Sequence, residues 1–317
     1  MSAVKIPKLQ HYVPQFILKN FHDDNGKHLH VFDKLNGKKY RSPARNIASE
    51  NGFYNFGDND AHTLELALGE IEAPASAVFK KIIDEKAVGS ILEDEKMLLS
   101  SYLAVQFVRT RQYRETLKDF FKKLNSEMLN REAEPIAPID DDEVKIISIK
   151  DVIDAPEQYG KYFYQKHWFL IHDPQSRMYI SDNPISLECQ MDKNKWRGTG
   201  IGTDNVEIYY PLSKDLTLAI WCPLIKIHLD KLYQNAHFEY VMTGVKYKNM
   251  SGLKELIQSI ETGSCVQASD ENIIRLNSLQ VRSAERFVLS SQNNFELVED
   301  MIGVDSTYKI GPRVKIM

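Results

Sequence analysis

The sequence predicts an α+β fold, in which a helical centre packs with a small N-terminal β-hairpin region and a larger antiparallel sheet. Three observations predict this class. An Asn36-Gly37 pair, typical of a two-residue hairpin turn, separates two short strand-like runs near the start. The middle of the chain has apolar residues at helical spacing. The second half has several short apolar runs that are typical of strands.

The N-terminal elements are a short helix, the hairpin and two long helical regions. The hairpin strands are predicted at residues 28–32 and 39–41. Over residues 63–82, apolar side chains fall on one helical stripe. Pro74 interrupts this stripe, and we expect a kink or a break there because its ring removes one backbone hydrogen bond. Residues 93–130 form a further helical region that is long enough to be two helices.

The second half is predicted to supply the larger sheet and the C-terminal helices. The expected elements are a helix at residues 156–167, strands at 168–171, 178–180, 206–211 and 216–221, and helices at 252–261 and 271–289. Ser269 or Asp270 is expected to cap the last helix.

Residues 132–143 are predicted to be a linker, because they hold two prolines and a run of acidic residues. They would separate an N-terminal hairpin and helical region, residues 1–131, from the sheet and C-terminal helices, residues 144–317. We expect the two parts to form one compact unit.

Composition narrows the class of protein. With 317 residues, 43% of them hydrophobic, the chain is long enough for a substantial core. A net charge of −4 disfavours binding of nucleic acid through the overall charge of the protein, although a local basic groove is compatible with it. The three cysteines, Cys189, Cys222 and Cys265, are far apart, as expected in a reducing cytoplasm. No apolar run approaches the roughly 20 residues that span a bilayer, and no signal-peptide pattern is present. We therefore expect a cytoplasmic protein without a membrane partner.

A series of segments in consistent order resembles the bacterial family catalogued as domain of unknown function 4238. The segments are residues 11–16 (HYVPQF) with Leu18 and Phe21, 31–34, 46–54, 64–65 with 71–72, 106–109 with Arg114, Trp168 with 181–184, 210–212 and Asn277. The resemblance spans roughly residues 9–290. It implies no assigned activity or fold, only a bacterial distribution and a setting among accessory or defence genes.

Polar residues on apolar helical stripes indicate where a site lies, because a buried charge needs a partner, a metal or a ligand. Glu72 continues one such stripe, and Glu65 lies two turns earlier on the same side. Gln106 and Arg109 share a face of the next helix, and Asn277 lies on the last one. Two interpretations stay open. Arg109 could pair with Glu65 or Glu72 in an internal structural network, or these groups could line a polar pocket.

Five further residues are candidates for the same pocket or for ligand contacts. His11 and Gln15 are expected to be one helical turn apart and to point into the pocket. Asp182 and Asn183 follow a strand end, where they form either a structural Asx turn or ligand contacts. Trp196 lies in a glycine-rich stretch with several cations, which is either a surface loop or a segment in which Trp stacks on a base.

Two functions follow from these residues. The first is a hydrolase of the nuclease type that acts on nucleic acid or nucleotides. Glu65, Glu72 and Asp182 would then bind a divalent cation, Mg²⁺ or Mn²⁺, or act as base. His11 would be the general acid or base, and Arg109 would stabilise charge on a phosphate oxygen. Gln15, Gln106, Asn183, Asn277 and Trp196 would bind the substrate. The alternative is a non-enzymatic binding or sensor protein, in which the same polar residues only fix the packing.

Overall fold

The computed structural model describes residues 9–55, 60–131, 134, 140–190, 200–245 and 247–314, with the backbone alone for 60–63. Within these ranges the chain has the predicted α+β fold. The helices are α1 (Gln15–Leu18), α2 (Asp60–Glu85), α3 (Glu93–Val108), α4 (Arg111–Asn130), α5 (Asp141–Tyr164), α6 (Pro223–Thr243), α7 (Met250–Thr262), α8 (Asp270–Ser283) and α9 (Glu296–Val304). The strands are β1 (Leu9–His11), β2 (Leu29–Asp33), β3 (Lys38–Ser42), β4 (Ser49–Asn51), β5 (His167–His172), β6 (Ile180–Ser181), β7 (Ser186–Glu188), β8 (Glu207–Ser213), β9 (Leu216–Trp221), β10 (Cys265–Gln267) and β11 (Phe287–Ser290). None of these helices could cross a membrane.

The strands form three sheets. A two-stranded sheet pairs β1 with β4. A five-stranded sheet has the order β10-β5-β9-β8-β7, and all its pairs are antiparallel except β10 with β5. An antiparallel four-stranded sheet has the order β3-β2-β11-β6. The predicted hairpin is confirmed as β2–β3, and Gly37 in its turn has φ +69°, a conformation that glycine adopts without strain.

Three helix predictions differ from the structure. The helix predicted at residues 156–167 is the second half of α5, which begins at Asp141 and ends at Tyr164. The predicted helix over residues 271–289 ends at Ser283, and Phe287–Ser290 instead form β11 between β2 and β6. Sheet pairing there overrides the helical spacing of the apolar residues. Helix α2 is continuous through Pro74, so there is no break, and the kink that was the other expected outcome stays a prediction. Pro74 is exposed, so water can reach the carbonyl group that loses its helical partner.

Helix caps mark two boundaries: the break within the long helical region, and the start of the helix that follows the predicted linker at residues 132–143. The region is two helices, as anticipated, because α3 ends at Val108 and the Thr110 side chain caps α4 by accepting a hydrogen bond from Tyr113 N at 3.3 Å. The acidic end of the predicted linker starts a helix instead. Asp140 and Glu143 form a capping box at the N-terminus of α5. Residues 132–133 and 135–139 lie outside the described residues.

The predicted helical centre is α3, which packs against α2 and α5 and carries aromatic contacts to the sheet. The Tyr102 ring of α3 lies 5.2 Å from Phe79 of α2, and its hydroxyl lies 2.8 Å from that of Tyr210 in β8. One continuous cluster of buried apolar side chains has members on both sides of residues 132–143. The division into residues 1–131 and 144–317 stays a prediction.

Candidate functional site

Arg109 is the centre of a polar cluster that joins α2, the end of α3 and the N-terminal strand. Its side chain is 1% exposed. Nη1 donates a hydrogen bond to Glu72 Oε1 at 2.7 Å, Nε to the Tyr12 carbonyl at 3.1 Å and Nη2 to the His11 carbonyl at 3.3 Å. A charged guanidinium can be buried here because an ion pair and two carbonyl groups satisfy it. Arg109 therefore fixes Glu72 and the His11 backbone in place.

Gln106 and Tyr54 extend this cluster through backbone contacts. Gln106 Nε2 donates to the Tyr12 carbonyl at 3.0 Å, one helical turn from Arg109. The Tyr54 hydroxyl lies 3.4 Å from the carbonyl oxygens of both His11 and Arg109. Both side chains thus support the chain around His11 rather than point to solvent.

Glu65 lies on the same face of α2 as Glu72, two turns and about 10 Å along the helix axis. Its Oε1 atom is buried and has no hydrogen-bond partner among the described residues. Burial raises the pKa of Glu65, Arg109 opposes this shift, and the Glu72 charge reinforces it. Because the shift favours the protonated form, Glu65 is suited to hold a proton that a substrate could take.

His11 is half-buried at the end of β1, and its Nε2 atom lies 3.1 Å from the Arg45 carbonyl oxygen. A carbonyl group only accepts, so Nε2 carries the proton and Nδ1 of the neutral ring is an acceptor. Burial lowers the pKa of His11, the hydrogen bond to Arg45 opposes this, and the Arg109 charge lowers it further. The neutral ring is therefore favoured.

These three titratable groups, His11, Glu65 and Glu72, are called the acid–base cluster below. Glu72 supplies a carboxylate that is 28% exposed and held by a buried cation. Burial raises the pKa of Glu65 and lowers that of His11, so it favours the uncharged form of each side chain. Glu65 and Glu72 share one face of α2 at about 10 Å along its axis, and the charges of Arg109 and Glu72 act on the pKa of both Glu65 and His11. Titratable groups within electrostatic range of one another, with pKa values shifted in opposite directions, can serve acid–base chemistry.

Asp182, a predicted catalytic residue and metal ligand, is elsewhere and fully buried. Its carboxylate accepts hydrogen bonds from the backbone N–H groups of Glu285, Arg286 and Phe287 at 2.8, 2.9 and 3.0 Å. It holds the turn between α8 and β11 and faces no solvent. The prediction that Asp182 joins Glu65 and Glu72 in one pocket is therefore not supported by the geometry.

The two predicted asparagines also make structural contacts. Asn183 Nδ2 donates to the Ser283 carbonyl at 3.0 Å, and its Oδ1 accepts from the Thr110 hydroxyl at 3.0 Å. Asn277 accepts from Tyr179 N at 2.8 Å and donates to the Arg177 carbonyl at 2.9 Å. Each amide thereby ties α8 to the chain around β6, rather than lining the acid–base cluster.

The remaining predicted site residues are Gln15, which was expected beside His11, and Trp196. His11 belongs to β1 and α1 begins only at Gln15, so the expectation that the two share one helical turn is wrong. The side chain of Gln15 is half-buried and makes no hydrogen bond to any described residue. Trp196 lies outside the described residues. In the part of the chain that the structure describes, no group of three or more His, Cys, Asp or Glu could hold a metal ion.

Sequence reasoning missed a second polar group, which is built from Glu207, Tyr209 and Arg275. Glu207 and Tyr209 alternate on β8 and so face the same side of the five-stranded sheet. Arg275 Nη2 donates to the Tyr209 hydroxyl at 2.9 Å and also pairs with Glu207. The signal in the sequence was a carboxylate at the start of an otherwise apolar strand.

Comparison with known proteins gives a family and nothing finer. A family model described as a protein of unknown function (DUF4238) matches residues 9–294. No curated protein and no solved structure is significantly similar to this chain.

Proposed function

Since the chain belongs to the DUF4238 family, whose description assigns no activity, we propose from its acid–base cluster that it is a hydrolase. We further propose that the substrate is a nucleic acid or a nucleotide. The observation that carries the proposal is the buried Oε1 atom of Glu65, which has no partner among the described residues. A buried polar atom without a partner costs free energy, and at functional sites such atoms are left for a ligand.

Glu72 is the general base in this proposal. Its carboxylate takes a proton from a water molecule, and the resulting hydroxide attacks the phosphorus atom of the substrate. The phosphorus–oxygen bond to the leaving group then breaks, and protonated Glu65 gives its proton to the leaving oxygen. Glu72 then releases its proton to solvent, and Glu65 takes up a proton from solvent, so that both return to their starting states. His11 Nδ1 accepts a hydrogen bond from the substrate.

Arg109 is a positioning residue in this scheme, not a direct contact of the substrate. Its side chain is 1% exposed and already engages Glu72 and two carbonyl groups. Cationic contacts to phosphate would come from neighbours that reach solvent. Arg45, next to the His11 ring, has an exposed side chain, and that of Arg111 is 39% exposed. This local charge would offset the net charge of −4.

The test is cleavage of single-stranded RNA, single-stranded DNA and nucleoside triphosphates by the purified protein, with Mg²⁺, with Mn²⁺ and with chelator. Glu72→Gln and Glu65→Gln keep size and remove the proton-transfer group. We expect each to lower kcat by about 100-fold or more. Glu70→Gln, an exposed position on the same helix, is the matched control and should cleave like the wild type. Absence of cleavage in every condition, or cleavage undiminished in both variants, contradicts the proposal.

A second candidate function is a non-enzymatic binding or sensor protein. The observation that favours it is that Asp182, Asn183 and Asn277 all make hydrogen bonds within the protein that hold segments distant in sequence together. In that case the cleavage assay is negative while Glu65→Gln still changes stability. The two candidates therefore differ in turnover, not in fold.

A further inference from the structure

A cavity of about 710 Å³ lies between the five-stranded sheet and helices α6, α7 and α8. Phe169 of β5, Tyr209 of β8 and Trp221 of β9 form its floor. Leu229 of α6 and Leu256 of α7 contribute apolar walls. This volume is within the range of about 300 to 1,000 Å³ that small-molecule sites occupy. The cavity is thus large enough for a drug-sized molecule with an apolar body.

The cavity is on the opposite face of the sheet from the acid–base cluster. Tyr209 and Tyr210 are consecutive on β8, so their side chains point to opposite faces. Tyr210 contacts Tyr102 on the side of α3, where Arg109 lies. Tyr209 lines the cavity. A ligand bound there would not occupy the acid–base cluster.

One end of the cavity carries charge. Arg275 donates from Nε to Glu188 Oε2 at 2.7 Å, and it also pairs with Glu207. The Tyr209 hydroxyl donates to Glu207 Oε2 at 2.5 Å. Burial raises the pKa of Glu207, which is only 5% exposed, while Arg275 and the Tyr209 hydroxyl act against this shift. When both carboxylates are ionised, two of them around one guanidinium leave one negative charge. Because Arg275 is already shared between two carboxylates, an added anion would be repelled and an added cation would be attracted.

An aromatic surface lies beside this charge. Glu207 and Trp221 are directly paired across β8 and β9, which puts their side chains next to each other on one face. The Trp221 ring packs edge-on against Phe169, with centroids 4.9 Å apart. The face of an indole ring attracts an ammonium group, and a neighbouring carboxylate adds to this attraction.

We propose that this cavity binds a small organic cation, with its ammonium group between Glu207 and Trp221 and its apolar body against Leu256. The site is separate from the proposed hydrolase, so either can fail without the other. The ligand class is an amine that carries an aromatic or branched aliphatic group. The ammonium group of the ligand balances the negative charge that remains when Arg275 is shared between Glu188 and Glu207. The apolar body of the ligand fills the apolar part of the cavity.

The test uses three probes with one carbon skeleton: phenylpropylamine, phenylpropanol and phenylpropionate. Binding to the full chain is measured by isothermal titration calorimetry and by ligand-observed NMR. We expect the amine to bind about tenfold or more tightly than the alcohol, and the carboxylate to bind most weakly. Equal or tighter binding of phenylpropionate, or no binding of any probe at millimolar concentration, overturns the proposal.

Substitutions test separately the negative charge of Glu207 and the volume of the cavity. Glu207→Gln keeps an acceptor for Tyr209 and should remove the preference for the amine over the alcohol. Leu256→Trp fills the cavity and should weaken both probes, while Glu271→Gln, an exposed position on α8 outside the cavity, should change neither. Should Glu207→Gln not fold, Glu188→Gln at the half-buried edge of the same charge group tests the preference instead. Amine binding unchanged in Leu256→Trp, or a preference unchanged in both glutamine variants, contradicts the assignment.

Discussion

Lys34 and Asp182 bind adjacent parts of the same turn. Lys34 Nζ donates to the carbonyl oxygens of Val281 and Ala284 at 2.7 and 2.6 Å, at the end of α8. Asp182 accepts from the N–H groups of the residues that follow, up to Phe287. Both side chains are buried, and the charge of each favours the charged form of the other. The pair satisfies backbone groups that a helix end leaves without partners.

Asp182→Asn should therefore destabilise the fold without a direct effect on catalysis. An amide presents one acceptor oxygen in place of two, and it leaves the Lys34 charge buried without its counter-charge. A buried group that loses its hydrogen-bond partner costs about 1 to 3 kcal/mol, and more when the group is charged. Urea denaturation monitored by circular dichroism measures this, with Glu271→Gln as the exposed control. A loss below about 1 kcal/mol would contradict the proposed role of the pair.

Arg109→Met should cost about 3 to 5 kcal/mol of unfolding free energy, because it strands Glu72 and two carbonyl groups. Arg111→Met is the matched control. Arg111 pairs with Glu50 at 3.1 Å, but both side chains are 39% exposed, and such pairs contribute about 1 kcal/mol or less.

A double-mutant cycle tests the pairing itself. Arg109→Met combined with Glu72→Met should be less destabilised than the sum of the two single variants. Strict additivity of the two would show that the ion pair makes no net contribution.

Glu65→Gln should stabilise the protein near pH 7 and have little effect near pH 4. The folded-state pKa of Glu65 is raised, so the favourable contribution of its protonated form is complete below the usual pKa of 4.5. That contribution is lost as the pH rises through the raised value, since the folded state must then release the proton. Urea denaturation of wild type and variant at both pH values measures the difference. Greater stabilisation at pH 4 than at pH 7 would rule out a raised pKa.

Hydrolysis should decline as the pH rises, because the proposed general acid works only when protonated. The raised pKa of Glu65 puts this decline at higher pH than for an ordinary glutamate. The measurement is kcat/KM against pH for the best substrate of the cleavage assay. In Glu65→Gln the residual rate should lose this decline, whereas Glu70→Gln should keep it. A decline that persists in Glu65→Gln belongs to another group.

Gly263→Ala should destabilise the contact between the loop after α2 and the end of α7. Gly263 has φ +67°, and an added Cβ would lie 2.7 Å from Gly89 N. The Gly263 carbonyl also accepts a hydrogen bond from Val88 N at 2.8 Å. We expect a loss of more than about 1 kcal/mol in the free energy of unfolding. Gly303→Ala, where nothing lies within 4 Å, should leave it unchanged or raise it.

Local patterns predicted much of the fold. The Asn36-Gly37 turn and strand β9 were predicted correctly because their signals are local. Strand β11 was predicted as helix, since Phe287–Ser290 become a strand only through pairing with β2 and β6. Helix α6 was missed because many of its apolar side chains, such as Phe238 and Met242, are exposed rather than on a buried stripe.

Helical spacing predicted correctly which residues lie near one another at the site, whereas residue type alone did not. Glu72 contacts Arg109, and Glu65 lies within electrostatic range of both, because all three are on inward helix faces, which periodicity reveals. Asp182 was assigned to the same place on its chemistry alone. A carboxylate at a strand end can bind backbone N–H groups as readily as a ligand, and the sequence does not record the distant turn, residues 285–287, that it holds.

The position of β2 in its sheet bears on how the chain is made. The hairpin forms from neighbouring residues, but the inner edge of β2 is closed only by β11, and the linked pair Asp33–Arg286 is 253 positions apart. During translation that edge stays open until residues 287–290 have left the ribosome. Open strand edges pair with other chains. Nascent or prematurely ended copies are therefore the species most exposed to aggregation, and a chaperone that covers β2 would protect them.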